Sequence, residues 1–380
     1  MSRFVVFITS FIGVFMGILV VALTGCTKTQ TTPSADANSS LAGPSAEKPG
    51  GNPGEKRSES QVNLAIWGTY LPAGFEESLL KDTGLKVNLS HYASNEELLA
   101  KIQAGAGGID VAIPSDYMVD VLAKLQLIQP LDKSQIPNAS GLDPQFLKQS
   151  YDPENKYSLP YAWSTAGIAI NRDLYKGELK SWKDVFSKKD LAGKISFLDD
   201  VREVTGAALK ANGFSVNSTN PDELAKAQAT LKEFRPRLKM FRSETIDPLV
   251  NKEIAIAQVY SVDGLRANRK AGGNHIEYKI LAEGGTKAID NMVILKSAKN
   301  VAAAHILINY FLKPETNLAF VQAVLAGPVL TATKSKLPKE LSNNAALFPS
   351  KETMKSLESI HDVGEATRLY DRLWTELKTD

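Results

Sequence analysis

The chain has 380 residues, with 44 Lys and Arg against 42 Asp and Glu, a formal charge of +2, one cysteine and four histidines. Near-neutrality excludes the basic excess that a nucleic-acid partner needs. The single cysteine excludes an internal disulfide and any cysteine-based metal cluster.

Taken in chain order, residues 4–23 are almost wholly apolar behind Arg3, and no acidic residue occurs before Asp36. Such a stretch could span a bilayer, but Leu23-Thr24-Gly25-Cys26 follows it. That tetrad resembles the lipobox of bacterial lipoproteins. The resemblance implies a signal peptide over residues 1–25, cleavage before Cys26 and a diacylglycerol on its thiol. The alternative is an uncleaved anchor helix. Either reading puts the remainder outside the cytoplasmic membrane; the lipobox reading places it in the periplasm or on the cell surface, anchored to the membrane through lipid. Residues 27–60 are Ser, Thr, Ala, Pro, Gly and Asn with scattered charge. Such a composition buries too little surface to order itself, so it predicts a flexible tether reaching roughly 30 Å.

The remaining residues, about 320, exceed what one core usually supports. Period-two alternation predicts a strand over 62–67, then a helix over 75–83 stopped by Gly84. A second strand is expected over 86–92. Ser94-Asn95-Glu96-Glu97 reads as a capping box opening a helix through Gln103. A buried strand over 109–114 and a helix over 117–125 complete a β-α-β-α-β run, which implies a parallel sheet covered by helices. The alternation recurs with strands over 166–171, 194–198, 254–260, 276–281 and 291–295. Helices are expected over 201–212, 221–234 and 301–311, from about 261 to 271, and through most of 351–378. The fold class is therefore α/β, in two lobes. Their expected composition is 61–164 with 289–335, and 165–288 with 336–380.

Ligands of open α/β sheets sit beyond the carboxyl ends of strands. Trp67 and Tyr70 follow the first strand, and Ser115, Asp116 and Tyr117 follow the third. Asp199, Asp200 and Glu203 follow the strand ending at 198. Tyr260 and Asp263 follow the strand ending at 260, and Asp290 precedes the next. Rings offer faces to cations and to methylene chains, and carboxylates give charge-assisted hydrogen bonds to ammonium groups. Each residue also has a plainer reading. Asp200 and Glu203 have capping-box spacing, and Ser115 can start a helix. Trp67 and Tyr70 can be inter-lobe packing, Asp263 a cap and Asp290 a loop carboxylate. Their recurrence at successive strand ends points instead to a cleft for a small linear cation.

The folded region resembles the spermidine/putrescine-binding proteins of bacterial polyamine ABC transporters. The matching stretches are Trp67-Gly68-Thr69-Tyr70-Leu71-Pro72, Ser94-Asn95-Glu96, Asp110-Val111-Ala112-Ile113-Pro114-Ser115-Asp116-Tyr117, Leu142-Asp143-Pro144, Tyr157-Ser158-Leu159-Pro160-Tyr161-Ala162-Trp163, Asp199-Asp200-Val201-Arg202-Glu203-Val204 and Asp362-Val363-Gly364. The resemblance implies a type II periplasmic binding fold closing over its ligand at a hinge. It also implies a polyamine as ligand, an ABC permease as membrane partner and a monomeric state. By position, Trp67, Tyr70, Ser115, Tyr117 and Tyr260 match wall residues, and Asp200, Glu203, Asp263 and Asp290 match amine-holding acids. The chain departs from the family at three positions. Ala288 stands two residues before Asp290, where an aromatic is usual. Gly327 stands before Pro328, again in place of an aromatic. Ile360 replaces a glutamine. These changes suggest a wider pocket, weaker affinity or a bulkier cation.

A second expectation keeps the fold but makes the protein a sensor that presents its ligand state to a membrane receptor. Catalysis is not expected. His91, His275, His305 and His361 show no metal-ligand spacing, and His305 falls on an apolar helix face. Nucleophile-elbow, zincin and phosphate-loop motifs are missing. No metal and no cofactor are expected.

Overall fold

The computed structural model describes residues 60–105 and 108–379. The signal peptide, Cys26 and the tether up to residue 59 lie outside the described residues. Ser60, expected to end the tether, opens the first strand.

Ten strands form one sheet: β1 Ser60–Trp67, β2 Leu85–Tyr92, β3 Val111–Ala112, β4 Ile128–Gln129, β5 Ser158–Asn171, β6 Ile195–Phe197, β7 Leu238–Phe241, β8 Ile256–Tyr260, β9 Ile276–Lys279 and β10 Lys287–Leu295. The order along the sheet is β2-β1-β3-β10-β5-β8-β6-β7, with β4 on β10 and β9 on β5. β1 pairs in parallel with β2 and β3, and β6 with β7 and β8. The sheet is mixed, not purely parallel as expected. β10 runs antiparallel to β3 and β5, and β5 antiparallel to β8 and β9. The chain leaves one half of the sheet along β5 and returns along β10, so these two strands oppose each other.

β5 carries this crossing. Its first half, Ser158–Thr165, pairs with β10, and Ala166–Ile170 pairs with β8. All but one of its 14 residues are buried, the pattern of a strand covered on both faces. Each half of the sheet has cores on both faces. Val62, Leu64 and Ile66 of β1 join one cluster with Leu79, Leu307 and Phe320, while Ala65 faces Leu98, Val119 and Leu122. Beyond the crossing, Ile168 and Ile170 meet Phe197, Val204 and Phe234, and Ala169 meets Leu249 and Ala267.

The helices follow the sequence closely at Phe75–Thr83, Asn95–Gln103, Asp116–Lys124, Val201–Ala211, Pro221–Phe234, Ser261–Lys270 and Val301–Phe311. His305 is the packed core residue its helical position suggests, with its ring nitrogens 2.8 Å from the Val301 carbonyl and 3.0 Å from the Asp132 N–H. Several elements differ from expectation. Only Val111–Ala112 of the strand over 109–114 pairs as strand. β10 begins at Lys287, four residues early, because the crossing needs length to span both halves. The carboxyl-terminal region is not one helix. Lys351–Ser356 and Thr367–Thr379 are helical, and the chain between them threads past the crossing strands. Leu337, Leu341, Phe348 and Met354 pack on the first core, while Val363, Tyr370 and Leu373 reach the second. The chain therefore returns to the second core later than the expected boundary at 336.

Candidate functional site

A cavity of about 340 Å³ lies between the two halves. All nine residues singled out above line it: Trp67, Tyr70, Ser115, Tyr117, Asp200, Glu203, Tyr260, Asp263 and Asp290. Ala288 and Ile360 line it too, but Gly327 does not.

The first half contributes an aromatic wall and one carboxylate. Trp67 ends β1, where its indole N–H donates to the Ile113 carbonyl at 2.9 Å and its ring lies 4.6 Å from that of Tyr92. Tyr70 is buried against Tyr161 and Phe320. Its hydroxyl donates to Asp290 Oδ2 at 2.8 Å, and the Ser115 hydroxyl donates to Asp290 Oδ1 at 2.8 Å. Ser115 thus turns its hydroxyl to Asp290 and makes no helix cap, although it stands at the cap position. Asp290 lies within β10, where the β5–β10 register shifts between it and Asn291. That irregularity re-aims the side chain, a common device beside binding sites. Burial pushes the Asp290 carboxyl up to about 6, partly offset by its two hydroxyl donors. Tyr117 hydroxyl donates to Glu96 Oε1 at 2.9 Å and accepts from the Asn95 amide at 3.1 Å.

The second half supplies three more acids. Asp200 caps the helix Val201–Ala211 through Oδ1, which accepts from the N–H groups of Arg202 and Glu203 at 2.8 and 3.0 Å. The capping expectation therefore holds for Asp200, and its Oδ2 keeps no partner among the described residues. Glu203 does not complete a capping box. Both its oxygens instead accept from the Thr286 hydroxyl at 2.8 Å. Glu203 is buried, and burial together with the charge of Asp200 pushes it up to about 8. Asp263 stands in the first turn of Ser261–Lys270, whose cap is Tyr260, and burial raises it to about 6 against the opposing charge of Arg266. Tyr260 places its half-buried ring at the end of β8, near Asp200 and Glu203.

Other lining residues were given no role by the sequence. Glu96 stands in the cap and in a matching stretch. Asp116, at a strand end beside Ser115, is buried, and burial pushes it up to about 7. Arg266 and Lys287 carried no sequence signal, because the strand ends read as acidic. The two missing aromatics have different outcomes. A side chain at Gly327 would collide with the Trp163 ring, so that glycine makes room for a tryptophan already in place. Ala288 leaves open cavity wall.

The acceptors of this cavity outnumber its donors. Carboxylates from both halves converge, each holding fewer donors than an ionised carboxylate accepts. Of its two lining cations, Arg266 points its guanidinium elsewhere, to Thr69 and Val324, and Lys287 stands beside Ala288 in the wall. The chemistry that completes such a site is a ligand rich in N–H donors and positive charge, with apolar stretches for the rings.

The chain matches the family described as bacterial extracellular solute-binding protein over residues 75–349. The spermidine/putrescine-binding periplasmic protein of Escherichia coli K12 is 34% identical over 315 residues, which covers 82% of this chain and 90% of that protein. A solved structure of the spermidine/putrescine ABC transporter substrate-binding protein PotD from Streptococcus pneumoniae superposes with a TM-score of 0.77 at 31% identity, covering 84% of this chain and 99% of that one. The TpPotD lipoprotein of Treponema pallidum gives a TM-score of 0.77 at 28% identity, covering 84% and 100%. The mixed α/β architecture and crossing strands are those of the type II periplasmic binding fold of these proteins. By its family match, its fold and its cleft between two α/β halves, the chain belongs to the bacterial extracellular solute-binding proteins.

Proposed function

We propose that the protein captures a polyamine, a putrescine- or spermidine-like cation, for an ABC importer. The observation that carries this reading is the convergence of Asp200, Glu203 and Asp263 from one half and Asp290 from the other on one aromatic-walled cavity. Terminal ammonium groups would pair with acids of both halves, while Trp67, Tyr70 and Tyr260 cover the methylenes between them. Closure of the two halves excludes water and strengthens each ion pair. The names of the E. coli and S. pneumoniae relatives support the same class of ligand and the same transport role.

The lipobox-like Leu23-Thr24-Gly25-Cys26 supports a lipid anchor, and the T. pallidum relative is itself described as a lipoprotein. In this reading the folded region works as a monomer outside the cytoplasmic membrane, tethered near its permease.

Calorimetric titration of the purified protein with putrescine, cadaverine, spermidine and spermine tests the proposal, with arginine and glucose as controls. Micromolar or tighter binding of any polyamine supports it. Silence to all four in folded protein removes the polyamine reading and leaves the solute-binding fold.

A further inference from the structure

We propose that Arg266 is the clasp that joins the two halves across the mouth of the cleft and thereby slows release of the bound cation. Arg266 stands on the helix Ser261–Lys270, which packs on the second half through Ala267. All three guanidinium nitrogens donate to the first half. Nη2 reaches the Thr69 carbonyl at 2.6 Å, Nη1 the Thr69 hydroxyl at 3.0 Å and Nε the Val324 carbonyl at 3.1 Å. One turn on, Arg269 Nη1 donates to the Ala323 carbonyl at 3.3 Å. Ala323 and Val324 are at the C-terminal end of the helix Pro314–Val324, where free carbonyls favour a cation.

Thr69 gives the contact its consequence. It lies between the wall residues Trp67 and Tyr70 and lines the cavity with them. Its φ is +56°, a left-handed value that a β-branched residue rarely adopts. Such backbone persists where surroundings hold it, and the two donors from Arg266 are that hold. Arg266 therefore acts on the ligand through the Trp67–Tyr70 wall and through closure. It is a positioning residue, and it does not itself bind the ligand.

The role fixes the sign of an experiment. As a bare charge lining the cleft, Arg266 repels a cation, and removing it would tighten binding by a factor of about two to five at a half-exposed site. As a clasp it holds the cleft shut through three charge-assisted hydrogen bonds, which together at this partly exposed site are worth about tenfold or more in an equilibrium constant. The clasp outweighs the repulsion.

The test compares wild type, Arg266→Ala and Arg266→Lys by stopped-flow tryptophan fluorescence with spermidine, and by small-angle scattering without ligand. Arg266→Ala is expected to raise the release rate about tenfold or more, with little change in the association rate. Arg266→Lys keeps the charge but not the fork, so most of the effect remains. The ligand-free alanine variant is expected to scatter as a more open molecule. Tighter binding in Arg266→Ala, or release and scattering equal to wild type, overturns the clasp. The kinetic arm rests on the polyamine reading and the scattering arm does not. A wild type that binds no polyamine therefore fails that reading alone, while the scattering still decides the clasp.

Discussion

The buried acids make binding strongly pH-dependent, through Glu203 above all. With its carboxyl pushed up to about 8, the empty cleft holds Glu203 mostly protonated at neutral pH. A ligand ammonium pairs with the ionised form, so binding must first expel that proton. The affinity is then reduced by one plus ten to the power (pKa − pH), about twofold at pH 8 and about a hundredfold at pH 6. Asp263 and Asp290, both pushed up to about 6, add little at pH 8 and a factor of about two each at pH 6. Affinity should therefore fall roughly 200-fold, about 3 kcal/mol, between pH 8 and pH 6. Alkyl ammonium groups titrate near 10 and stay charged throughout, so the loss belongs to the protein. Titration calorimetry across this range, repeated in buffers of different ionisation enthalpy, reads both the affinity and the protons released. About one proton should leave per ligand at pH 7. Constant affinity between pH 6 and pH 8, with no proton released, would refute the assignment of Glu203 as an ionised anchor.

Three further outcomes follow from the same contacts. Asp290→Asn keeps the shape and one of the two accepting oxygens, the other hydroxyl turning to accept from the new amide, but removes the charge, so calorimetry should show polyamine affinity reduced about tenfold or more. Glu203→Gln should stabilise the ligand-free protein at pH 8. A carboxyl raised from 4.5 to about 8 by folding leaves stability intact below 4.5 and costs an increasing amount up to 8, on the order of a few kcal/mol. Thermal melts of wild type should therefore decline between pH 5 and pH 8, and those of the variant should decline less. Gly327→Ala drives a methyl into the Trp163 ring and should cost about 1–3 kcal/mol in denaturant unfolding; an unchanged midpoint would show that the ring moves freely.

Much of this was legible in the sequence because local physics decided it. Helix ends fell where Gly84 terminates and Pro221 begins a helix, and the acids recurred at strand ends where the fold exposes side chains to a cleft. What escaped depended on contacts distant in sequence. β10 was read short because Lys287, Ala288 and Asp290 break the apolar run, yet pairing with β5 holds them in the strand. The second acceptor role of Glu203 was hidden behind its capping spacing, since Thr286 lies 83 residues away. Arg266 was invisible for the same reason: its partners Thr69 and Val324 come from the opposite half. Gly327 read as a missing wall, whereas it accommodates Trp163, whose own motif was already in view.

The energetics of the empty cleft explain why an acidic cavity suits a binding protein. Burial without enough donors raises Asp116, Asp200, Glu203, Asp263 and Asp290, so the protein without ligand carries unfavourable free energy in its cleft. That free energy is recovered only by a partner that brings positive charge and N–H donors at once. A neutral sugar would leave the acids unpaired, and an anion would repel them. Discrimination here therefore arises as much from the cost of leaving the site incomplete as from the contacts made. The Arg266 clasp works with this, since a closed cleft keeps water from satisfying the acids in the ligand's place.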